Sequence, residues 1–301
     1  MNSKRTAVVT AGTGGIGLET AIGLAEAGYA VTVIGRDAER GARAVELIDA
    51  AGPAQRARFL AADLSSLDRV RALAERLAAE HAASGDPLSV LVNNVGAMFP
   101  ERRDIDGVEA SFVVNHLSPY LLTESLLPTL ASGAPSRIVN VTSGAVGLAR
   151  PVFDAAEPPG GYYGFHWYGR AKLAHLVHTL DLAARLAETG VSVFAADPGG
   201  AATAMTDGTL TDPRIVSPGL RLIWPLVRRK FARSTSGPAS VAARPSIVAA
   251  TDPALAGRTG VVIGPDAVPV APFRAATRPE LAAAVRRLGE RHAPVTARTG
   301  A

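Results

Sequence analysis

Between a short β-branched run at residues 7–10 and a stretch with helical apolar spacing lies Thr10-Ala11-Gly12-Thr13-Gly14-Gly15-Ile16-Gly17, with four glycines in six residues. This junction constrains the fold more than any other feature of the chain. Glycines let a backbone turn tightly and approach a ligand without a Cβ in the way. The free N–H groups and positive dipole end of the helix that follows form a seat for a pyrophosphate. A strand, this loop and an amphipathic helix, in that order, predict a dinucleotide site built from Gly12, Thr13, Gly15, Ile16 and Gly17.

The rest of the chain agrees with that start. Strand-like runs at residues 31–34, 59–61, 90–92, 138–141 and 191–195 alternate with helical stretches at 38–50 and 67–83 and through Leu173, Leu176, Leu180 and Leu186. Apolar runs without alternation mark strands covered on both faces, as a parallel sheet requires. Beyond Pro198 the pattern loosens, then resumes with a helix at 239–250, a seventh strand at 260–263 and a helix at 280–291. The predicted fold is α/β: one doubly wound, mostly parallel seven-stranded sheet with helices on both faces, in a single domain over 1–301. Its core is 5–203, a substrate-loop region is 204–236, and a C-terminal helix, strand and tail fill 237–301.

Composition narrows the chemistry. The 301 residues contain no cysteine, which excludes disulfides, thiolate nucleophiles and cysteine-ligated metals. The six histidines are scattered, with no His-Glu-x-x-His, so no metal site is expected. Neither a Gly-x-Ser-x-Gly elbow nor a Gly-x-x-x-x-Gly-Lys-[Ser/Thr] loop occurs, which disfavours an esterase and an ATPase. The net charge of +4 is spread along the chain, and its one tight group is Arg228-Arg229-Lys230, so no nucleic-acid partner is expected. No apolar run suits a signal peptide or a span, and Pro218 and Pro225 disfavour an amphipathic membrane helix around Leu220–Val227. A cytoplasmic location is the expectation.

Strand two ends in Gly35-Arg36-Asp37. An acidic residue there would receive the ribose hydroxyls of NAD, whereas arginine suits the 2′-phosphate of NADP. Arg36 therefore predicts NADP(H), with Asp37 turned outward; Asp37 keeps NAD(H) as the less favoured option. Further on, Tyr168-Gly169-Arg170-Ala171-Lys172 places Tyr168 and Lys172 on one helix face. An ammonium beside a phenol favours phenolate, which predicts a tyrosine pKa below its usual ~10 and an acid/base at neutral pH.

These segments together resemble the short-chain dehydrogenase/reductase family, and its retinol-dehydrogenase-like branch in particular, from about Thr6 to Thr203. The family fingerprint Thr-Gly-x-x-x-Gly-Ile-Gly is matched at Gly15, Ile16 and Gly17, with Ala11 in place of the first glycine; a negative φ would accommodate that methyl. The resemblance implies that Asp63-Leu64 contacts adenine and that Asn93-Asn94-Val95-Gly96 is the motif after strand four, bringing Asn93 and Gly96 to the cofactor. Asp197-Pro198-Gly199 with Thr203 resembles the Pro-Gly-x-x-x-Thr segment that cradles the nicotinamide amide. It further implies a catalytic tetrad of Asn115, Ser143, Tyr168 and Lys172. In it Ser143 binds the substrate oxygen, Tyr168 is the acid/base, Lys172 also holds the nicotinamide ribose, and Asn115 holds a water that relays protons.

The implied function is NADP(H)-dependent interconversion of a ketone or aldehyde and an alcohol. Epimerisation, C=C reduction and a non-catalytic NADP-binding regulator stay open as alternatives. Loops at the carboxyl ends of the strands should wall the substrate. One carries Pro158, Pro159, Tyr162, Tyr163, Phe165 and Trp167, the other Leu220, Leu222, Ile223, Trp224 and Leu226. Such a lining suits a bulky, partly planar carbonyl compound of the secondary-metabolite kind. Packing over the sheet edge or a subunit contact, in a homodimer or homotetramer, accounts for the same side chains.

Overall fold

The computed structural model describes residues 4–52, 57–157, 160–200, 212–226, 228–229 and 237–295. Runs rich in Val and Ile form strands β1 (Thr6–Thr10), β2 (Ala30–Gly35), β3 (Arg58–Ala61) and β4 (Leu88–Asn93). A two-residue hairpin, β5 (Asp104–Ile105) and β6 (Val108–Glu109), precedes β7 (Ser136–Val141), β8 (Val191–Ala196), β9 (Val261–Ile263) and β10 (Pro269–Val270). The main sheet has the order β10-β9-β8-β7-β4-β1-β2-β3 and is parallel except where β10 runs against β9. It thus has eight strands where seven were expected. The extra one, two residues long with a proline, sits at the sheet edge, where a missing N–H is tolerated.

Alternate side chains of each strand enter separate cores. Ala7, Val9, Val31, Val33, Val90 and Val92 pack on one face, beneath helix α1 (Gly15–Glu26), helix α2 (Ala38–Ala51) and the helix Ala239–Thr251. Val8, Ile34, Leu91, Ile138 and Val193 pack on the other, beneath helix α3 (Leu67–Ser84). The same face carries α4 (Ala110–Phe112) with the π turn Val113–Leu117, α5 (Ser118–Ser132) and α6 (Gly164–Arg185). Burial on both sides is why these strands read as unbroken apolar runs. The helices start on local signals: Asp37 accepts from Arg40 N–H to cap α2, and Ser66 from Arg69 N–H to cap α3. Along α3, Leu67, Val70, Leu73, Ala74 and Leu77 make the buried stripe. The helix Pro279–His292 closes over α6. Among the described residues no helix is long and apolar enough to cross a membrane.

Strand order reverses between β1 and β4, so the crevice at their carboxyl ends is where a ligand of a doubly wound sheet binds. Below that crevice the α5–α6 core holds three buried histidines, His116, His175 and His178. His116 and His178 stand with ring centroids 6.2 Å apart, and His178 lies 5.0 Å from the Tyr120 ring. Among the described residues neither ring nitrogen of His116 or His175 has a hydrogen-bond partner. Burial, helped by neighbouring positive charge, pulls His116 and His175 well below 6.5, and burial takes His178 down to about 4.

All three imidazoles are therefore neutral in the folded state and protonate first in the unfolded chain. Their stabilising contribution is complete above the unfolded value near 6.5 and is lost as pH falls towards the depressed folded values. Each contributes about 1.4 kcal/mol per pH unit over that window. Urea unfolding at about pH 7.5 and about pH 5 should show this loss, and a His175→Leu variant should lose less than the wild type by roughly that amount per unit. Equal pH dependence in the two proteins would show that His175 finds a proton acceptor in the fold.

Candidate active site

The loop 10–17 turns so tightly that backbone meets backbone. Asn94 Nδ2 donates to the carbonyls of Thr10 and Ala11 at 3.2 and 3.4 Å, and Thr10 Oγ1 accepts from the N–H groups of Asn94 and Val95. A Cβ at Gly17 would run into the Ala11 carbonyl and the Asn94 amide, which is why that position needs glycine. Ala11 itself has φ +49°, in the left-handed region, where a negative value was expected. The turn keeps its shape and the methyl bears the strain. No side chain caps α1 at Gly14, so its first-turn N–H groups are left for a ligand. A Cβ at Gly14 would stand 2.6 Å from Nη2 of Arg40, which places that guanidinium over the loop. Uncapped N–H groups, absent side chains and an adjacent cation fit a dinucleotide's phosphates.

Arg36 is exposed just beyond β2. Asp37, expected merely to turn outward, is engaged: its Oδ1 accepts from Arg40 N–H at 3.0 Å. The cap fixes the first turn of α2, from which Arg40 reaches the loop. Asp63 accepts from the N–H and hydroxyl of Ser65 at 3.0 and 2.7 Å. Burial pushes its carboxyl up, but the Ser65 hydrogen bonds and the charges of Arg36 and Arg69 outweigh this and hold it below the usual carboxylate value. Leu64 is buried beside it.

The side chain of Asn93, a residue expected at the cofactor, is engaged inside the fold. Its amide donates to Thr123 Oγ1 and to Asn140 Oδ1, both at 2.8 Å, and Asn140 donates on to Thr179 Oγ1 at 2.9 Å. An inward-pointing residue of a covered strand must find partners inside. Asn94, the next residue, is the one that reaches the glycine loop. Gly96 follows at the crevice, half-buried. Pro198 and Gly199 lie at the end of β8, with Gly199 N–H donating to Asp197 Oδ1 at 3.0 Å. Thr203, Pro158 and Pro159 lie outside the described residues.

The four tetrad positions converge on the carboxyl ends of β4 and β7. Ser143 follows β7, and its hydroxyl accepts from Ala145 N–H at 3.2 Å and lies close enough to the Tyr168 hydroxyl to lower its pKa. Lys172, one turn along α6, donates through Nζ to the carbonyls of Val95 and Val141, both at 3.0 Å. Among the described residues these two carbonyls are the partners of its ammonium. Asn115 sits in the π turn, where Ser118 N–H reaches back to the Val113 carbonyl. Its side chain bonds both backbone groups of Ala97 and donates to the Ser111 carbonyl, fixing the chain after β4. The expected lowering of the tyrosine is reversed. Burial pushes Tyr168 up to about 12, Ser143 lowers it and the Asp197 carboxylate raises it, while burial pulls Lys172 down to about 7. The phenol is therefore a protonated group at neutral pH, suited to donating.

The substrate-side loops divide. Tyr162 donates to the Phe99 carbonyl at 2.9 Å and stacks 5.0 Å from buried Trp167, while Phe165 lies 6.4 Å from the Tyr168 ring. His166 joins Leu148 O at 3.2 Å to Ser217 N–H at 3.2 Å, and Arg221 covers the Tyr163 ring at 5.6 Å. Of the expected wall residues at 220–226, Leu220 and Trp224 are half-buried while Leu222 and Leu226 are 87% and 67% exposed, and Ile215 and Val216 just before them pack inward. Among the described residues no group of acidic or histidine side chains could hold a metal.

Residues 5–214 match the model of the short chain dehydrogenase family. The chain belongs to that family of nicotinamide-dependent oxidoreductases, in its retinol-dehydrogenase-like branch. It is 35% identical to retinol dehydrogenase 12 of Mus musculus over 234 residues, covering 77% of this chain and 70% of that one. With retinol dehydrogenase 11 of Homo sapiens it shares 38% over 196 residues, 65% of this chain and 60% of that one. Among solved structures, an uncharacterized protein from Mycobacterium paratuberculosis superposes with a TM-score of 0.71 at 27% identity, covering 96% and 93% of the two chains. The RhlG/NADP active-site complex of Pseudomonas aeruginosa gives a TM-score of 0.66 at 30% identity, with 88% and 96% covered.

Two substitutions probe the loop. Ala11→Gly removes a Cβ from a left-handed residue and should stabilise the protein by about 1 kcal/mol in urea unfolding. Gly17→Ala should force the loop off the Asn94 amide and weaken dinucleotide binding by at least about tenfold in a fluorescence titration. Unchanged binding in Gly17→Ala would mean that the close backbone approach does not shape the cofactor seat.

Proposed function

We propose that the protein is an NADP(H)-dependent oxidoreductase that interconverts a bulky, apolar, partly planar ketone or aldehyde and its alcohol. The observation that carries this reading is the hydroxyl pair Ser143–Tyr168 at the end of β7, with Lys172 one turn beyond Tyr168. When bound, the nicotinamide ring supplies or takes up the hydride. The protein's part begins with Ser143, which donates to the substrate oxygen and sets its position. Tyr168 gives its proton to that oxygen as negative charge grows there, and its high value keeps the proton available until then. Lys172 holds its ammonium beneath the site on two carbonyls and turns its third donor to the nicotinamide ribose. Because its own value is near 7, it can also return a proton to the tyrosine at neutral pH. Asn115 keeps the Ala97 segment in place below the site. Gly12, Thr13, Gly15, Ile16 and Gly17 seat the pyrophosphate, Asp63 and Leu64 flank the adenine, and Gly96, Pro198, Gly199 and Thr203 border the nicotinamide.

Arg36 and Arg40 support NADP over NAD. One stands exposed at the end of β2 and the other over Gly14, so two cations whose planar forks suit a phosphate lie on the cofactor side of the loop. The Pseudomonas structure is itself an NADP complex. Phe165 beside Tyr168 favours a planar apolar substrate, as do the names of the retinol dehydrogenases. A cytoplasmic enzyme acting on a small molecule is consistent with these features.

Tyr168→Phe should lower turnover by ~10²–10⁴ while NADPH still binds, because only the proton donor is lost. Near-normal turnover in that variant would reject the mechanism. Wild-type protein should bind NADPH roughly ten- to a hundredfold tighter than NADH. Arg36→Ala should erase most of that preference and leave NADH affinity unchanged, with Arg40→Ala removing part of the remainder. A preference that survives both substitutions would place the discriminating contact elsewhere.

A further inference from the structure

Arg170 lies between Tyr168 and Lys172 in sequence, and two residues from each it points to the opposite side of α6. It is a cation only 3% exposed. Nε donates to the Val152 carbonyl at 3.0 Å, and Nη2 donates to Val152 at 2.8 Å and to Ala155 at 2.7 Å. Nη1 donates to the Ala156 carbonyl. The guanidinium is also sandwiched between two rings, 4.7 Å from Phe153 and 5.2 Å from Phe112. Among the described residues no carboxylate comes within ion-pair distance of it; Glu109 and Glu157 act from farther away.

Burying a charge without an ion-pair partner is costly, so the side chain is poor material for core packing alone. Every hydrogen bond it makes goes to the main chain of one loop. That loop, residues 149–157, has no helix or strand of its own, so its carbonyls depend on a donor from outside. At one end it continues from the turn that carries Ser143, and it leads towards the helix that carries Tyr168. The second ring over the guanidinium, Phe112, directly precedes the π turn that carries Asn115. Arg170 therefore touches no reacting atom yet joins the three segments that bear the tetrad.

We propose that Arg170 is a positioning residue that clamps the 152–156 backbone as a preformed wall of the substrate cleft and thereby sets which carbonyl compounds fit. A lysine cannot replace it. Three donors on one point do not span three carbonyls, whereas the planar fork does. The part of this proposal that concerns substrate choice rests on the oxidoreductase reading above; the clamping of the loop does not.

The test uses the whole protein with Arg170→Met and Arg170→Lys. Chymotrypsin digestion followed by mass spectrometry reads the loop directly through cleavage after Phe153, which is 2% exposed in the wild type. That cleavage should be at least about tenfold faster in both variants, while cleavage after Phe273, already 37% exposed, should change little. NADPH affinity should be unchanged. With a panel of small and bulky ketones, KM for the bulky ones should rise about tenfold relative to the small ones, with kcat on small ketones nearly kept. Unchanged cleavage after Phe153, an equal acceleration at both sites, or full rescue by lysine would overturn the proposal. If Arg170→Met does not fold, Phe153→Leu, which removes one ring of the sandwich, must raise the bulky-to-small KM ratio, and a failure to do so is equally decisive. Clamping without turnover of any ketone by the wild type would refute the proposed function and leave the clamp standing.

Discussion

A single buried ammonium holds the centre of this molecule together. Lys172 reaches from α6 to the carbonyls of Val95 and Val141, beyond the end of β4 and at the end of β7. Those two strands are neighbours in the sheet, and their last carbonyls would otherwise be left without donors where the ladder stops. The lysine supplies them, and α6 is thereby fixed at the depth that brings Tyr168 to Ser143. Burial has opposite effects on the two titrating groups, pulling the ammonium down to about 7 and pushing the phenol up to about 12. Both shifts favour the neutral form, as low dielectric demands. The result is a phenol kept protonated on the same helix as an amine that titrates near neutrality.

Around that centre, polar side chains act as joints between segments. Asn115 bonds both backbone groups of Ala97, Asn94 binds the glycine loop, and Asn93 connects through Asn140 to Thr179. Each joins two elements whose own hydrogen-bond ladders end nearby. Inside a covered sheet such bonds are stronger than in water, and a missing partner is correspondingly expensive. The crevice is therefore rigid on its cofactor side. Arg170, Tyr162 and His166 likewise each bond to backbone atoms of a segment distant in sequence.

Much of this was legible before any coordinates. The β-branched runs locate seven of the eight strands of the sheet, and the helical stretches at 38–50, 67–83, 239–250 and 280–291 match helices of the structure to within a residue, whereas α5 was not anticipated. The runs are buried on both faces, so their composition is dictated all along their length. The glycine loop and Tyr-x-x-x-Lys were readable because each needs particular residue types at fixed spacing, and Ser143 followed from the family resemblance they carry. What could not be read were features decided by contacts between distant segments. β10 is two residues long and exists only because β9 is there to pair with it. The hairpin β5–β6 and the π turn at Asn115 carry no periodic signal.

The sequence by itself determined the doubly wound sheet, because periodicity is a local property of a chain, while the glycine loop and the family resemblance pointed to a dinucleotide seat and to the four tetrad positions. Tertiary structure alone decided how those groups are charged and which neighbours they serve. The tyrosine is held protonated where a nearby ammonium had suggested phenolate, because burial raises it and the Asp197 carboxylate adds to that, against the Ser143 hydroxyl. Ala11 is driven to φ +49° because Asn94 and Gly17 close on its carbonyl. Asn93 turns inward while Asn94 faces the loop, since a strand's alternation assigns each residue a side only once the sheet is covered. Arg170 read as a spacer within a motif; three carbonyls of a loop more than a dozen residues away make it a clamp. Burial and long-range hydrogen bonds are properties of the assembled chain, and no stretch of sequence carries them alone.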